Sequence, residues 1–162
     1  MYFKGFDANL CGYNNYPFEV GAVYETDDWD TWSWFHYAKY VSATLNYFES
    51  DMRVCEVEPL GETKFFRDAL DGYRKGYYTT NRLHIVRELS REEIFDRLMQ
   101  EKCPVYLLLK LNPPYEVLLQ IKSHIRGSYC HKVLHRKDLS DDEKRQLLPA
   151  CWHKYISIIY ED

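Results

Sequence analysis

The sequence lacks the features that mark membrane proteins and several large enzyme classes. No apolar run reaches the length of about 18 residues that a membrane-spanning helix needs. The opening MYFKGFDANL has neither the charged nor the apolar region of a signal peptide. A phosphate-binding loop and the motifs GxGxxG, HExxH and GxSxG are also missing. These absences count against nucleotide hydrolysis, dinucleotide-binding folds and zincin chemistry, and we expect a soluble cytoplasmic protein.

Paired cysteines and an excess of positive charge are missing as well. The five cysteines are scattered and contain no CxxC pair, which is typical of reduced intracellular thiols. The histidines and cysteines after residue 120 do not have the paired spacing of a structural zinc site, so we predict no metal site. The formal net charge is −4, which makes binding to nucleic acid unlikely for the chain as a whole.

Aromatic residues, in contrast, are abundant. They make up 17% of the chain, with fifteen tyrosines, and they are densest in DDWDTWSWFHYAKY, residues 27–40. A strand that begins near Trp32 would place Trp32, Trp34 and His36 on one face. Exposed tryptophans beside aspartates have the composition of an interface anchor. We therefore predict that this stretch contributes partner-binding residues, namely Asp28, Trp29, Asp30 and Trp32.

The hydrophobic pattern predicts an α+β fold. Alternating segments predict strands in MYFKGF, YPFEVGAVYE, MRVCEVE and RLHIVREL. We expect a twisted, mainly antiparallel sheet, built from residues 1–90 and packed against the helices that follow. The polar, glycine-punctuated residues 61–81 predict a surface loop. The chain divides into a strand-rich domain, residues 1–96, and a helical C-terminal extension packed on it, residues 97–162.

Helices are predicted mainly by capping signals. Ser90 with Glu93, and Ser140 with Glu143, have the spacing of capping boxes. Prolines begin a further helix in NPPYEVLLQIKSHIRG, and Gly127 ends it. The spacing of apolar residues in 41–48 predicts a short amphipathic helix. The predicted core residues are Val41, Leu45, Phe48, Ile85, Phe95 and Leu98.

One basic segment interrupts the acidic chain, KSHIRGSYCHKVLHRK at residues 122–137. Such a segment can meet an acidic protein surface or a phosphate backbone, or it can be the solvated face of a helix. Nucleic acid therefore stays open for this segment alone. The residues that we predict to bind a partner here are Lys122, Arg126, Lys132 and Arg136.

Four segments carry a family resemblance. KGFDANLCGYNNYPFEVGAVYE, WFHYAKYVSATLNYF, RVCEVEPLGE and TTNRLHIVRELSREEIF resemble, in this order, an uncharacterised domain of phage and prophage proteins that is sometimes found ahead of pentapeptide repeats. The resemblance covers residues 4 to about 96. A cysteine usual in that domain is absent here, where Ala38 and Lys39 stand. The resemblance implies a phage or mobile-element protein in the host cytosol.

The order of elements is also faintly similar to that of ADP-ribosyltransferases. Lys4 stands where those enzymes have arginine or histidine, FHYAK replaces their Ser-Thr-Ser strand, and TTNRL lacks their Glu-x-Glu. That glutamate steers the nucleophile electrostatically, a role that threonine or asparagine cannot fill. The similarity implies an enzyme that uses NAD, with Lys4, His36 and Tyr37 lining its cleft, and with its activity lost or changed.

Two functions follow from the sequence. The first is an interaction protein without a cofactor that binds and inhibits a host protein, such as a component of a CRISPR-like nucleoprotein defence complex, which would make it an anti-CRISPR protein. Its support is the small size, the incomplete catalytic motifs and the aromatic segment. The second is the divergent ADP-ribosyltransferase-like enzyme.

Overall fold

In the described part of the chain, all seven strands lie before residue 90 and all six α-helices lie after it. The computed structural model describes residues 1–12, 15–28, 30, 33–45, 50–67 and 76–156. These residues form an α+β fold and divide into two units, residues 1–103 and residues 104–162. The strands are β1 (Tyr2–Phe6), β2 (Val23–Glu25), β3 (Phe35–Tyr37), β4 (Arg53–Pro59), β5 (Thr63–Phe66), β6 (Tyr77–Thr80) and β7 (Arg82–Glu88). The α-helices are α1 (Arg91–Gln100), α2 (Val105–Lys110), α3 (Tyr115–Gln120), α4 (Ser128–Leu134), α5 (Asp141–Leu147) and α6 (His153–Ile156).

The first unit contains two antiparallel sheets. The four-stranded sheet has the order β1-β4-β7-β2, and the three-stranded sheet has the order β3-β6-β5. An antiparallel bridge between Phe3 and Ala38 joins β1 to the end of β3, with N–H···O distances of 2.7 Å in both directions. This bridge sets the edge of the larger sheet against the edge of the smaller one.

The core of the first unit is rich in aromatic rings. Alternation along β1 turns Tyr2, Lys4 and Phe6 to one face of the sheet. Phe6 is fully buried on that face. The buried residues that pack together there are Phe6, Leu10, Phe18, Tyr37, Cys55, Val57, Leu83 and Ile85.

Glu101 fixes a short 3-10 helix, Val41–Thr44, which contacts β1 and α1. Its carboxylate accepts hydrogen bonds from the backbone N–H groups of Val41 and Ser42 at 2.8 and 2.9 Å, and from the Ser42 hydroxyl. The amides at the start of a helix have no partner within it, so this carboxylate replaces the missing side-chain cap. The C-terminal end of α1 is thereby tied to the segment that follows β3.

Two expectations about strands were wrong. The predicted surface loop at residues 61–81 contains β5 and β6, which pair with each other; residues 68–75 lie outside the described part. Gly76, at φ +58°, precedes β6, and a Cβ atom there would lie 2.5 Å from the Phe65 ring. The strand expected over YPFEVGAVYE is restricted to Val23–Glu25, after Gly21 at φ +87°.

The second unit is helical, and its helix boundaries follow local signals. Ser140 and Glu143 form the predicted capping box at α5, as Ser90 and Glu93 do at α1. The helix expected from the prolines to Gly127 ends at Gln120, and Gly127, at φ +55°, instead precedes α4. Among the described residues, α2 contacts α4, and α5 contacts α3, α4 and α6.

Five of the six predicted core residues are buried: Val41, Leu45, Ile85, Phe95 and Leu98. The sixth, Phe48, lies outside the described residues. The helix predicted around it is, as far as the structure describes it, the 3-10 helix Val41–Thr44. No helix in the described part of the chain is both long enough and apolar enough to cross a membrane.

Candidate functional site

The acidic aromatic segment is held by its own side chains. The indole N–H of Trp34 donates to the backbone carbonyl of Asp28 at 2.8 Å, and the Asp28 carboxylate accepts from the backbone N–H of Asp30 at 2.9 Å. Trp34 is 8% exposed, whereas Asp28 is exposed. Asp28 is therefore exposed and takes part in two local hydrogen bonds. Trp29 and Trp32, two of the predicted binding residues, lie outside the described residues.

The strand in this segment begins at Phe35, later than predicted. As a result, Trp34 and His36 do not share an environment, because Trp34 is buried and His36 is exposed. Tyr37 is buried in the core, where its ring packs edge-on against Tyr2 and stacks on Tyr78. Burial, with smaller contributions from Tyr2 and Tyr78, raises the pKa of Tyr37 to about 12. Its hydroxyl is therefore neutral at physiological pH.

Lys4 lies where the two sheets meet. Its ammonium donates to the backbone carbonyl of His36 at 2.9 Å. The same nitrogen is 5.5 Å from the centre of the Phe6 ring and 5.4 Å from that of Phe18, which is cation–π distance. Of the three residues predicted to line a cleft, Lys4 and His36 are therefore in contact, with His36 taking part through its main chain, whereas the Tyr37 ring lies in the core.

Lys4 lies between Tyr2 and Phe6 on one face of β1, and each of these two residues belongs to a different group of ring contacts within the core. The first ring cluster comprises Phe6, Tyr16, Phe18, Tyr24 and Phe35, with centroids 4.8 to 6.4 Å apart. The second ring cluster comprises Tyr2, Tyr37, Phe65 and Tyr78. Sequence reasoning placed Lys4 in a site but missed these rings, which come from β1, β2, β3, β5, β6 and the segment before β2.

No opposite charge compensates Lys4 among the described residues. Cys55 pairs with Lys4 across β1 and β4, and burial raises the pKa of this thiol to about 12, so it is neutral. The described ion pairs do not include Lys4. Burial without compensation lowers the pKa of Lys4 to about 8.

A hollow of about 580 Å³ opens on the helical unit, lined by Val105, Ser123, His124, Arg126 and Tyr129. The Nε–H of Arg126 donates to the carbonyl of Ser123 at 2.9 Å, which orients the guanidinium. Lys132 follows Tyr129 by three residues on α4, so the two side chains lie on the same side of the helix.

The predicted basic residues therefore have unequal surroundings. Lys122, Arg126 and Lys132 are exposed. The Arg136 side chain is 12% exposed, and its guanidinium pairs with Asp138 and donates to the carbonyl of Pro113 at 3.0 Å. Arg136 thus helps to hold the helical unit together. The segment's other residues in the hollow are Ser123, His124 and Tyr129, and Val105 comes from α2.

In the described part of the chain, no group of three or more His, Cys, Asp or Glu side chains could hold a metal ion. His131 stacks on His135 with ring centroids 6.2 Å apart and packs edge-on against Trp152 at 4.7 Å. These rings form an aromatic contact. All five cysteines are free.

Comparison with known sequences assigns the strand-rich unit, with its two antiparallel sheets, to a protein family. A family model described as "Domain of unknown function (DUF7666)" matches residues 1–97. The chain therefore belongs to this family, and Lys4 and both ring clusters lie within the matched part, whereas the hollow lies outside it. No significant match was found among curated proteins or among solved structures.

Proposed function

We propose that the protein is an interaction protein whose helical unit binds an acidic surface of a partner protein. The observation that carries this proposal is the hollow, with the exposed cations of Lys122 and Arg126 at or beside it. Val105 and Tyr129 supply an apolar wall, and Arg126 supplies oriented donors. A pocket with both properties suits an anchor side chain that carries a negative charge.

Protein is a better partner than nucleic acid for this surface. A nucleic-acid binder neutralises many phosphates along a continuous basic face. Here Arg136 is engaged with Asp138, so one cation of the basic segment is already paired within the protein. The formal net charge of −4 also counts against a phosphate backbone as the partner.

The proposal extends to the identity of the partner. The resemblance of residues 4 to about 96 to phage and prophage domains supports a host protein as the target. Inhibition of a nucleic-acid defence complex, as by an anti-CRISPR protein, is the function that best suits a small interaction protein of such origin. The proposed location is the host cytosol, which the five free thiols support.

The experiment reverses charge in the hollow. Tagged wild type and Arg126→Glu are used to capture proteins from host lysate, and the captured proteins are identified by mass spectrometry. Affinity is then measured with the purified partner. Truncation of a central anchor costs about 2 to 4 kcal/mol of binding, so we expect Kd to rise by at least about 30-fold. Lys154→Glu, an exposed site with the same charge change, is the matched control and should bind normally.

Inhibition is read out separately from binding. Host cells with an active defence system are challenged with targeted DNA while they express either variant. Wild type and Lys154→Glu should protect the DNA, and Arg126→Glu should not. Equal binding by Arg126→Glu and wild type, or capture of nucleic acid alone, would refute the proposal.

A second function is favoured by the contact between Lys4 and the His36 carbonyl. This contact joins β1 and β3, the strands that carry the residues corresponding to the ADP-ribosyltransferase cleft. We therefore also propose, as the alternative, an enzyme that uses NAD. Purified protein is incubated with labelled NAD and host lysate. Label transfer that His36→Ala abolishes would support the enzyme. The absence of transfer by wild type would refute it.

A further inference from the structure

The amine of Lys4 has donors that the protein does not use. An ammonium has three N–H donors. One of them bonds to the His36 carbonyl, while the faces of Phe6 and Phe18 take up part of the charge. The described ion pairs leave Lys4 out. The Lys4 residue as a whole is partly exposed.

We propose that Lys4 is a covalent binding site for an aromatic aldehyde, which it holds as an imine between the two ring clusters. This inference concerns the strand-rich unit and does not depend on the hollow of the helical unit. Failure of either proposal therefore leaves the other in place.

The chemistry balances without a further reactant. The neutral amine of Lys4 attacks the carbonyl carbon: a C–N bond forms, the π bond of the carbonyl breaks, and one proton passes from the nitrogen to the oxygen. The resulting carbinolamine loses its hydroxyl group as water, and the nitrogen loses its second hydrogen. The products are one imine and one water molecule. A desolvated lysine is the side chain that proteins use for this reaction.

The surroundings favour the neutral amine. Burial lowers the pKa of Lys4 to about 8. Near pH 7.5 about a quarter of such an amine is neutral, roughly 200 times the fraction for an ordinary lysine. The neutral Cys55 thiol adds no negative charge that would hold the proton on the amine.

The walls select an aromatic ligand. Tyr16, 49% exposed, forms the outer part of the first ring cluster, and its ring lies 5.0 Å from that of Phe18. Phe18 in turn lies against the ammonium of Lys4. A planar ring attached to the imine carbon can pack on these side chains in an offset or edge-on geometry, which aromatic pairs prefer. A saturated ring of similar size cannot make this aromatic–aromatic interaction.

The test uses two probes matched in size, benzaldehyde and cyclohexanecarbaldehyde. Each is incubated with the wild-type protein at pH 7.5 together with cyanoborohydride, which reduces the imine to a stable amine. Peptide mass spectrometry then gives the rate at each lysine. Lys64 is the internal control, because it is exposed yet also lies near a ring, 5.2 Å from the centre of Trp34.

We expect benzaldehyde to modify Lys4 at least tenfold faster than Lys64, and cyclohexanecarbaldehyde, which gains only from the neutral amine, to show a clearly smaller preference for Lys4. Labelling of Lys4 with acetic anhydride should be half-maximal near pH 8. Phe18→Leu, checked for folding by circular dichroism, should reduce the preference for the aromatic probe. Modification of Lys4 at or below the rate of Lys64, or the same Lys4-to-Lys64 rate ratio with both probes, would overturn the proposal.

Discussion

The two units of this chain bury different kinds of side chain. The core of residues 1–103 is built around phenylalanine and tyrosine rings that meet across strands and a loop, whereas the buried side chains of residues 104–156 are mostly leucine and isoleucine on short helices. Rings carry directional contacts and polar edges, and aliphatic groups do not. The first unit thus has the means to build a site inside its core, and the second has its hollow at the surface.

The largest expected effect comes from emptying each core in turn. Phe6→Ala removes a fully buried ring from the first unit and should cost about 3 to 5 kcal/mol of unfolding free energy. Leu118→Ala does the same in the second unit, at about 2 to 5 kcal/mol. Hydrogen exchange should accelerate only within the unit that carries the change. Equal acceleration in both units by both variants would show that they unfold together.

Loss of the Glu101 carboxylate should have the next largest effect on the free energy of unfolding. Glu101→Gln removes the negative charge of the group that accepts hydrogen bonds from the backbone N–H groups of Val41 and Ser42. Charge-assisted bonds of this kind contribute about 1.5 to 3 kcal/mol, so urea unfolding should report a loss in this range. Asp96→Asn, at an exposed position on the same helix, is the control and should change stability little. A Gln variant as stable as wild type would contradict the assigned role.

Lys4 should make the stability of the first unit depend on pH. Because the folded pKa, about 8, lies below the unfolded value near 10.5, the unfolded chain binds more protons between these values and stability rises with pH there. Lys4→Met removes this penalty. We expect it to stabilise the protein by about 2 kcal/mol at pH 7, after allowance for partial exposure.

The advantage of Lys4→Met should shrink as the pH rises to 10, which urea titrations at the two pH values measure. Tyr37 titrates above this window in both proteins and cancels in the difference. Lys64→Met, at an exposed lysine, is the control and should show no such change with pH. A constant difference between Lys4→Met and wild type would argue against the lowered pKa.

Loss of a capping box should have the smallest effect on stability, and the effect should be similar in the two units. Ser90→Ala and Ser140→Ala each remove the hydroxyl that accepts the N–H of the glutamate three residues later. Each change should cost about 1 kcal/mol, and Ser90→Thr and Ser140→Thr should retain most of the stability. A loss well above this at only one serine would reveal a further role for that residue.

Local signals made part of the fold predictable. Both capping boxes form where the Ser-x-x-Glu spacing placed them, because the interaction needs only four consecutive residues. Strand β5 was missed for an equally physical reason. Thr63, Lys64 and Phe65 are all exposed at the edge of the smaller sheet, so no alternation of buried and exposed side chains marks the strand.

The candidate sites were predictable only in part. The resemblance singled out Lys4 and His36, and they do meet, but through a backbone carbonyl that no side-chain pattern encodes. Phe18, which lies against the ammonium, comes from a segment predicted as part of a strand. The basic segment contributed Arg126 to the hollow, whereas Val105 is brought to it by the packing of a different helix. Contacts between distant segments are the part that local patterns miss.

The clamp by Glu101 bears on how this family can be joined to other sequences. The family match ends at residue 97, four residues before the carboxylate that caps the 3-10 helix. A gene fusion that exchanged everything after residue 97 would have to supply a new acceptor for the amides of Val41 and Ser42. One that exchanged everything after Cys103 would not. Recombination that keeps residues 98–103 with the strand-rich unit therefore costs the recipient less stability, whatever follows.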